Sequence, residues 1–161
     1  MTESRDNPRY TGMFKHLDDQ AGYGVWIPSG WHYTPMTGGR RGIFYAPKAD
    51  DIQTSFSIEK HDLDISIRAK DIKILAKGFM DGIEALPEVE VESHEESVGK
   101  SGVILLQARF TFVEDGMRRK RWTRIVYWGT GQLTMIAQGA TVADFDLYEP
   151  MFYNTMMTIE L

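Results

Sequence analysis

The chain has 161 residues, of which 42% are hydrophobic and 25% charged, a balance typical of one folded domain with its own core. It contains no cysteine, which excludes disulfides, thiolate zinc sites and a cysteine nucleophile. The net charge of −5 repels nucleic acid and anionic membranes, so we expect no nucleic-acid partner. No apolar run approaches membrane-spanning length.

The first residues, 1–9, are polar and lack the apolar centre of a secretory signal, which predicts a cytoplasmic location. Residues 1–21 carry charges and little periodicity. We expect them to form an arm or a short helix laid on the domain, and residues 22–161 to form a single domain.

Short alternating segments predict several strands before the first helix. Tyr23–Ile27 alternates and is stopped by Pro28, because proline cannot donate a hydrogen bond to a neighbouring strand. Further along, the pattern predicts a loop at 37–42, a short strand at 43–45, and a strand at 53–60 with Phe56 and Ile58 on one face.

A helix follows, marked by apolar residues at three- and four-residue spacing: Ile72, Leu75, Ala76, Phe79, Met80, Ile83 and Leu86. Ser66 is the expected N-cap, and Pro87 is expected to end the helix. Phe79 lies at the centre of the stripe and should be buried against a sheet. Gly78 and Gly82 lower helix propensity, so we expect close packing of the helix on the sheet to compensate.

From residue 89 onward the sequence predicts antiparallel strands joined by short turns. The strands fall at 89–98, 103–113, 117–128 and 132–138, with an Asp-Gly hairpin turn at 114–116. Thr141 and Asp144 form a capping box that opens a C-terminal helix. The predicted fold class is therefore α+β, an antiparallel meander covered by a long central helix and a C-terminal helix.

Three segments resemble the PsbP family, the extrinsic proteins of photosystem II whose fold is shared with the Ran-binding Mog protein. They are YGVWIPSGW at 23–31, LLQARFTFVEDG at 105–116 and TGQLTMIAQG at 130–139. The likeness covers nearly the whole chain from residue 22 and implies a PsbP-like fold. It also implies a non-enzymatic binding or accessory module, for which we expect a protein or peptide partner and no cofactor. The chain departs from the photosynthetic members by lacking a lumenal targeting segment.

The strands on either side of the 114–116 turn carry the candidate binding surface. If a three-residue turn sets their register, Gln107, Arg109, Trp122, Arg124 and Trp128 share one face, and Leu106, Ala108, Phe110, Ile125 and Tyr127 share the core face. We predict that an exposed sheet face presents the binding residues Arg109, Trp122, Arg124 and Trp128. The alternative is an ordinary strand whose arginine stems cover its tryptophans.

Other patterns carry weaker signals. Six glutamates (Glu84, Glu88, Glu90, Glu92, Glu95 and Glu96) are typical of a solvated strand edge kept charged to block edge pairing. Residues 61–64 and 94–96 contain His, Asp and Glu, but their spacing does not place two ligands on one helical face, so we predict no metal site. No catalytic acid–base pair can be named, and the oligomeric state stays open, a homodimer included.

A second function is consistent with the same pattern of elements. The chain could be a small-molecule or lipid-binding domain whose cleft lies between the long helix and the sheet, near Trp26, Trp31 and Phe79. A roomy apolar cavity would favour this alternative, whereas a solid core would favour the binding module.

Overall fold

The computed structural model describes residues 13–18, 22–35, 41–47 and 50–160. It is an α+β structure, as predicted. In chain order the elements are β1 (Met13–Asp18), β2 (Tyr23–Pro28), β3 (His32–Pro35), β4 (Arg41–Tyr45), β5 (Ser55–Asp62), a 3₁₀ turn (Ala69–Asp71), α1 (Ile72–Glu84), β6 (Glu90–Val98), β7 (Ile104–Glu114), β8 (Met117–Trp128), β9 (Gly131–Gly139) and α2 (Val142–Met157).

Seven of the strands form one antiparallel sheet in the order β3-β4-β5-β9-β8-β7-β6. The predicted meander is confirmed as β6 to β9, and β6 lies at one edge of the sheet. The β7–β8 turn has two residues rather than three, because Glu114 pairs directly with Met117. Asp115 and Gly116 both have positive φ, at 53° and 73°, which is the conformation of the tight Asp-Gly hairpin turn.

The sheet buries apolar side chains on both faces, and a different helix covers each. On the face that we call the α2 face, α2 and β2 cover the main core, which includes Phe44, Phe56, Ile58, Trp122, Leu133, Met135, Phe145 and Phe152. On the opposite face, called the α1 face, α1 packs over Ile104, Leu106, Ala108, Phe110, Phe112 and Tyr127. The two helices therefore complete two separate cores on one sheet.

Helix α2 begins where the sequence predicts. The Thr141 side chain accepts a hydrogen bond from the Asp144 backbone N–H at 3.1 Å, which satisfies one of the free donors of the first turn. Just before it, Gly139 lies so close to α2 that a Cβ there would sit 2.6 Å from the Thr141 carbonyl oxygen and collide with the backbone of Phe145. The absence of a side chain at Gly139 thus lets the helix start directly above β9.

Three expectations for α1 are wrong. The helix is preceded by a 3₁₀ turn, so its N-cap is Asp71 and not Ser66. Phe79 is only partly buried, and the one fully buried residue of α1 is Ile83. A Cβ added at Gly78 or Gly82 would meet no atom within 4 Å, so neither glycine serves close packing. The apolar stripe of α1 faces the sheet as predicted, but α1 packs on the sheet less tightly than we expected.

The segment 13–18 forms strand β1 rather than the short helix that was one of the two expectations. It pairs antiparallel with β2, and Gly24 of β2 exchanges two backbone hydrogen bonds with Glu160, at 2.8 and 2.7 Å. The rest of 1–21 and residues 37–40 of the predicted loop lie outside the described residues, whereas Arg41 and Gly42 of that loop belong to strand β4, where they pair with β5. The domain boundary at residue 22 stays a prediction.

The glycines of α1 and β9 should respond to alanine in opposite directions. Gly78→Ala should raise the free energy of unfolding by about 0.5–1 kcal/mol, because alanine has the higher helix propensity and the site is open. Gly139→Ala should lower it by about 1–3 kcal/mol, because backbone atoms of α2 would have to move. Urea denaturation of both variants measures the difference. A loss of stability in Gly78→Ala would contradict the open position of that residue.

Candidate functional site

The four predicted binding residues lie on the α2 face, and their grouping on one face is correct. The register places Arg109 opposite Trp122 and Gln107 opposite Arg124. The expected exposure is wrong for Trp122, which is only 3% exposed because α2 lies over it. Arg109, Arg124 and Trp128 are half-buried. A role of the four residues in binding stays a prediction.

Arg109 joins β7 to helix α2. Its guanidinium lies over the Trp122 ring, 4.3 Å from the ring centroid, and forms an ion pair with the Glu149 carboxylate of α2. A cation over an aromatic face is attracted by the ring quadrupole, most strongly for tryptophan. Arg109 therefore stabilises the packing of α2 on the sheet, and its side chain stays 27% exposed.

Arg124 and Trp128 have separate surroundings. Arg124 donates to the Met156 carbonyl oxygen at 3.2 Å, in the last turn of α2, where a cation complements the negative end of the helix dipole. Burial lowers the pKa of Arg124 from its usual range. Trp128 lies six residues beyond Trp122, roughly 20 Å along the strand. Its indole packs over Gly131, so it does not share a site with Arg109.

An open groove of about 300 Å³ lies between α2 and the edge strand β6, and we call it the Trp122 groove. Its lining comes from four elements: Ser93, His94 and Glu95 of β6, Gln107, Ala108 and Arg109 of β7, Trp122 of β8, and Tyr153 and Met157 of α2. Two of the four predicted residues, Arg109 and Trp122, are part of it.

Hydrogen bonds fix the floor of the Trp122 groove. The Gln107 side chain donates to Glu95 at 2.7 Å and accepts from the Trp122 indole N–H at 3.3 Å. The Tyr153 ring stacks over Trp122 at a centroid distance of 6.4 Å and an interplanar angle of 22°, yet stays 52% exposed. The groove thus presents an aromatic face, a carboxylate and a guanidinium.

Sequence reasoning missed the α2 side of the groove. Glu149, Tyr153 and Met157 are spaced four residues apart, which places them on one edge of a helix. That spacing was visible in the sequence. The information that was lacking is the position of α2 on the sheet, which decides that this edge faces β7.

A second, wider cavity of about 710 Å³ lies on the α1 face, between α1 and β6, and we call it the α1 cavity. Its lining is mostly charged: Lys73, Lys77, Asp81 and Glu84 from α1, with Ala76 and Met80, and His94, Glu95 and Glu96 from β6. The Asp81 carboxylate accepts a hydrogen bond from Lys77 and raises the pKa of that lysine.

The small-ligand alternative predicted a cleft near Trp26, Trp31 and Phe79, and the structure contradicts that prediction. Trp31 packs edge-on against Tyr148 and Phe152 on the α2 face, at centroid distances of 5.3 and 5.8 Å. Phe79 lies on the opposite face, under α1. The apolar space beside Trp31 is filled and leaves no room for a water molecule.

The structure shows where the acidic stretch and the basic run of the sequence lie. Strand β6, with four glutamates, is the sheet edge that the acidic stretch predicts. The basic run 118–121 is engaged within the protein, with partners that include Glu88, Glu92, Ala140 and Gln138. Within the described ranges, His, Asp and Glu form no group of three or more that could hold a metal ion.

No family model and no curated protein matches the chain. Solved structures do match. The cyanobacterial PsbP (CyanoP) of Synechocystis is 15% identical, with 96% of each chain covered and a TM-score of 0.63. LpqN of Mycobacterium tuberculosis, involved in cell envelope biogenesis, is 14% identical over 86% of this chain and 82% of its own, with a TM-score of 0.62.

The Ran-binding protein Mog1p of Saccharomyces cerevisiae is 6% identical over 92% of this chain and 96% of its own, with a TM-score of 0.52. These likenesses establish the class: the chain has the PsbP-like fold that Mog1p also has, as the three sequence segments indicated. None of the helices in the described part of the chain is both long and apolar enough to cross a bilayer.

The position of Trp122 under α2 predicts its contribution to stability. Trp122→Ala should lower the free energy of unfolding by about 3–5 kcal/mol, because it removes a large buried side chain. Trp26→Ala is the matched control, since Trp26 is 38% exposed on β2 and should cost less. Chemical denaturation compares the two. A loss below about 1 kcal/mol for Trp122→Ala would mean that α2 does not pack over it.

Proposed function

We propose that the protein is a non-enzymatic binding or accessory module that engages a protein or peptide partner through the Trp122 groove. One observation carries the proposal: the groove is open, lies beside β6 at the edge of the described sheet, and combines exposed Tyr153 and Met157 with the charged Arg109 and Glu95. Aromatic residues, methionine and arginine are enriched in protein interfaces.

The size of the groove supports a side chain or short segment as its occupant. A volume of about 300 Å³ lies at the lower limit for small-molecule sites, which are also more enclosed and more apolar. Tyrosine and arginine are also frequent among residues whose truncation weakens an interface. Mog1p, which shares the fold, is by its name a Ran-binding protein, and this favours a protein partner here as well.

The groove residues give no support to an enzyme. Ser93 and His94 are the neighbouring hydroxyl and imidazole groups in its lining, but consecutive residues of a strand point to opposite faces. The pairing of Ser93 with Arg109 and of His94 with Ala108 places Ser93 on the α2 face and His94 on the α1 face. These two side chains therefore do not form a nucleophile–base pair.

The test replaces Tyr153 with the photo-crosslinking amino acid p-benzoylphenylalanine. Irradiation in the native cell should attach a specific partner at position 153. The matched control carries the same amino acid in place of Ile74, an apolar residue of α1 that is 74% exposed and lies away from the groove. The same adduct at both positions, or none at position 153, would contradict a partner in the groove.

Once the partner is identified, Tyr153→Ala should weaken the affinity of the protein for it about tenfold, or about 1.4 kcal/mol, because the exposed ring contributes contact area. Ile74→Ala should leave the affinity unchanged. Because both side chains are exposed, both variants should stay within about 0.5 kcal/mol of the parent in stability. Calorimetric titration and thermal melts measure the two quantities. Equal affinities of Tyr153→Ala and the parent would place the contact elsewhere.

A further inference from the structure

Both cavities described above flank the same edge strand. The Trp122 groove lies on one face of β6 and the α1 cavity on the other, and His94 and Glu95 line both. We propose that the partner contributes an extended, basic segment that pairs with the outer edge of β6 as an additional strand. The inference rests on the proposed function, since it names the kind of partner that the groove receives.

The geometry of β6 suits strand addition. The strand has nine residues, eight of them exposed, and no described strand pairs with its outer edge. After an irregularity between Val91 and Ser93, residues 93–98 pair with β7 in continuous register. A regular edge strand presents unpaired backbone N–H and C=O groups, which an incoming peptide satisfies by β-augmentation.

The two cavities would receive the side chains of the added strand. Successive side chains of a strand point to opposite faces, and a neighbouring strand lies about 4.8 Å away. Side chains on one face of the added strand would enter the Trp122 groove beside Glu95, and those on the other would enter the α1 cavity beside Glu96. Backbone bonds would supply affinity, and the cavities would supply specificity.

The charges select a basic occupant. Strand β6 carries four glutamates and neither lysine nor arginine. Glu92 already pairs with Lys120. At the α1 cavity, the carboxylates of Glu95, Glu96, Asp81 and Glu84 outnumber the two lysines Lys73 and Lys77, and Lys77 already bonds Asp81. Lysine or arginine side chains on the added strand would complement this potential.

The same charges exclude a second copy of the chain as the occupant. Two β6 strands paired edge to edge would bring glutamates together across the ladder, which is destabilising. The acidic residues thus act against self-pairing, as the sequence suggests, while favouring a basic strand. The other sheet edge, β3, has four residues and ends at Pro35, so it offers a much shorter ladder.

The experiment uses a fluorescent peptide of nine residues, the length of β6, in which lysine alternates with valine or threonine. Binding to the full chain is followed by fluorescence anisotropy at about 50 and 300 mM salt. Two matched peptides carry glutamate in place of lysine, or N-methyl groups on alternate backbone amides. We expect saturable binding of the lysine peptide that weakens with salt, and at least tenfold weaker binding of both controls.

Variants and hydrogen exchange locate the contact. The double variant Glu95→Gln/Glu96→Gln should weaken binding about tenfold, and Asp115→Asn should not, since it removes a carboxylate from the distant β7–β8 turn. Bound peptide should slow amide exchange in residues 93–98. No saturable binding, equal binding of the N-methylated peptide, or unprotected β6 amides would each overturn strand addition.

The outcomes separate this inference from the proposed function. A partner crosslinked at position 153 that leaves the β6 amides unprotected supports the groove as a binding site and overturns edge pairing. Absence of any crosslinked partner at position 153 contradicts the proposed function, whatever the peptides do.

Discussion

The structure depends on one constraint: a sheet that is apolar on both faces must be covered on both. Helix α2 and strand β2 cover one core, and α1 covers the other. On the α2 face, the cover is secured by Trp122 beneath the helix and by ion pairs that run from β7 and β8 to it, Arg109 with Glu149 and Lys120 with Asp146. Removal of water from this apolar area is the main stabilising contribution.

Neither helix closes the space at the outer edge of the sheet, and this explains where the cavities lie. α2 lies mainly over β9 and β8, and its Tyr153 and Met157 edge stops short of β6. α1 contacts both β7 and β6, yet the α1 cavity stays open between its charged edge and β6. Both open spaces therefore adjoin the strand whose glutamates keep it hydrated. The proposed site therefore exists because the two helices cover the sheet incompletely beside β6.

The sequence predicted most of the elements because each has a local cause, whereas strands β1 and β3 were missed. Alternation predicts β5 through Phe56 and Ile58, and Thr141 with Asp144 predicts the start of α2. The order of three short motifs predicted the PsbP-like fold, which the solved structures confirm.

The predictions of burial and packing were wrong where they depend on elements distant in the sequence. Trp122 looked exposed because strand alternation says which residues share a face and not whether a helix covers it. Gly78 and Gly82 looked like packing sites, whereas Gly139, which looked like the end of a strand, is the close contact. The groove could be predicted only in part, since Arg109 and Trp122 come from one hairpin but Tyr153 and Glu95 come from remote segments.

The contact at Gly139 has a consequence for motion. Backbone touches backbone where α2 begins, so that end of the helix has no space in which to shift. The far end is held by side-chain contacts instead, among them the buried Met156, a hydrogen bond from Arg124 and a stacked tyrosine ring. The first turn of α2 should therefore be the least mobile part of the helix. Adjustment of the groove would come from the exposed side chains of Tyr153 and Met157, so an occupant could enter without any loss of the core beneath Phe145.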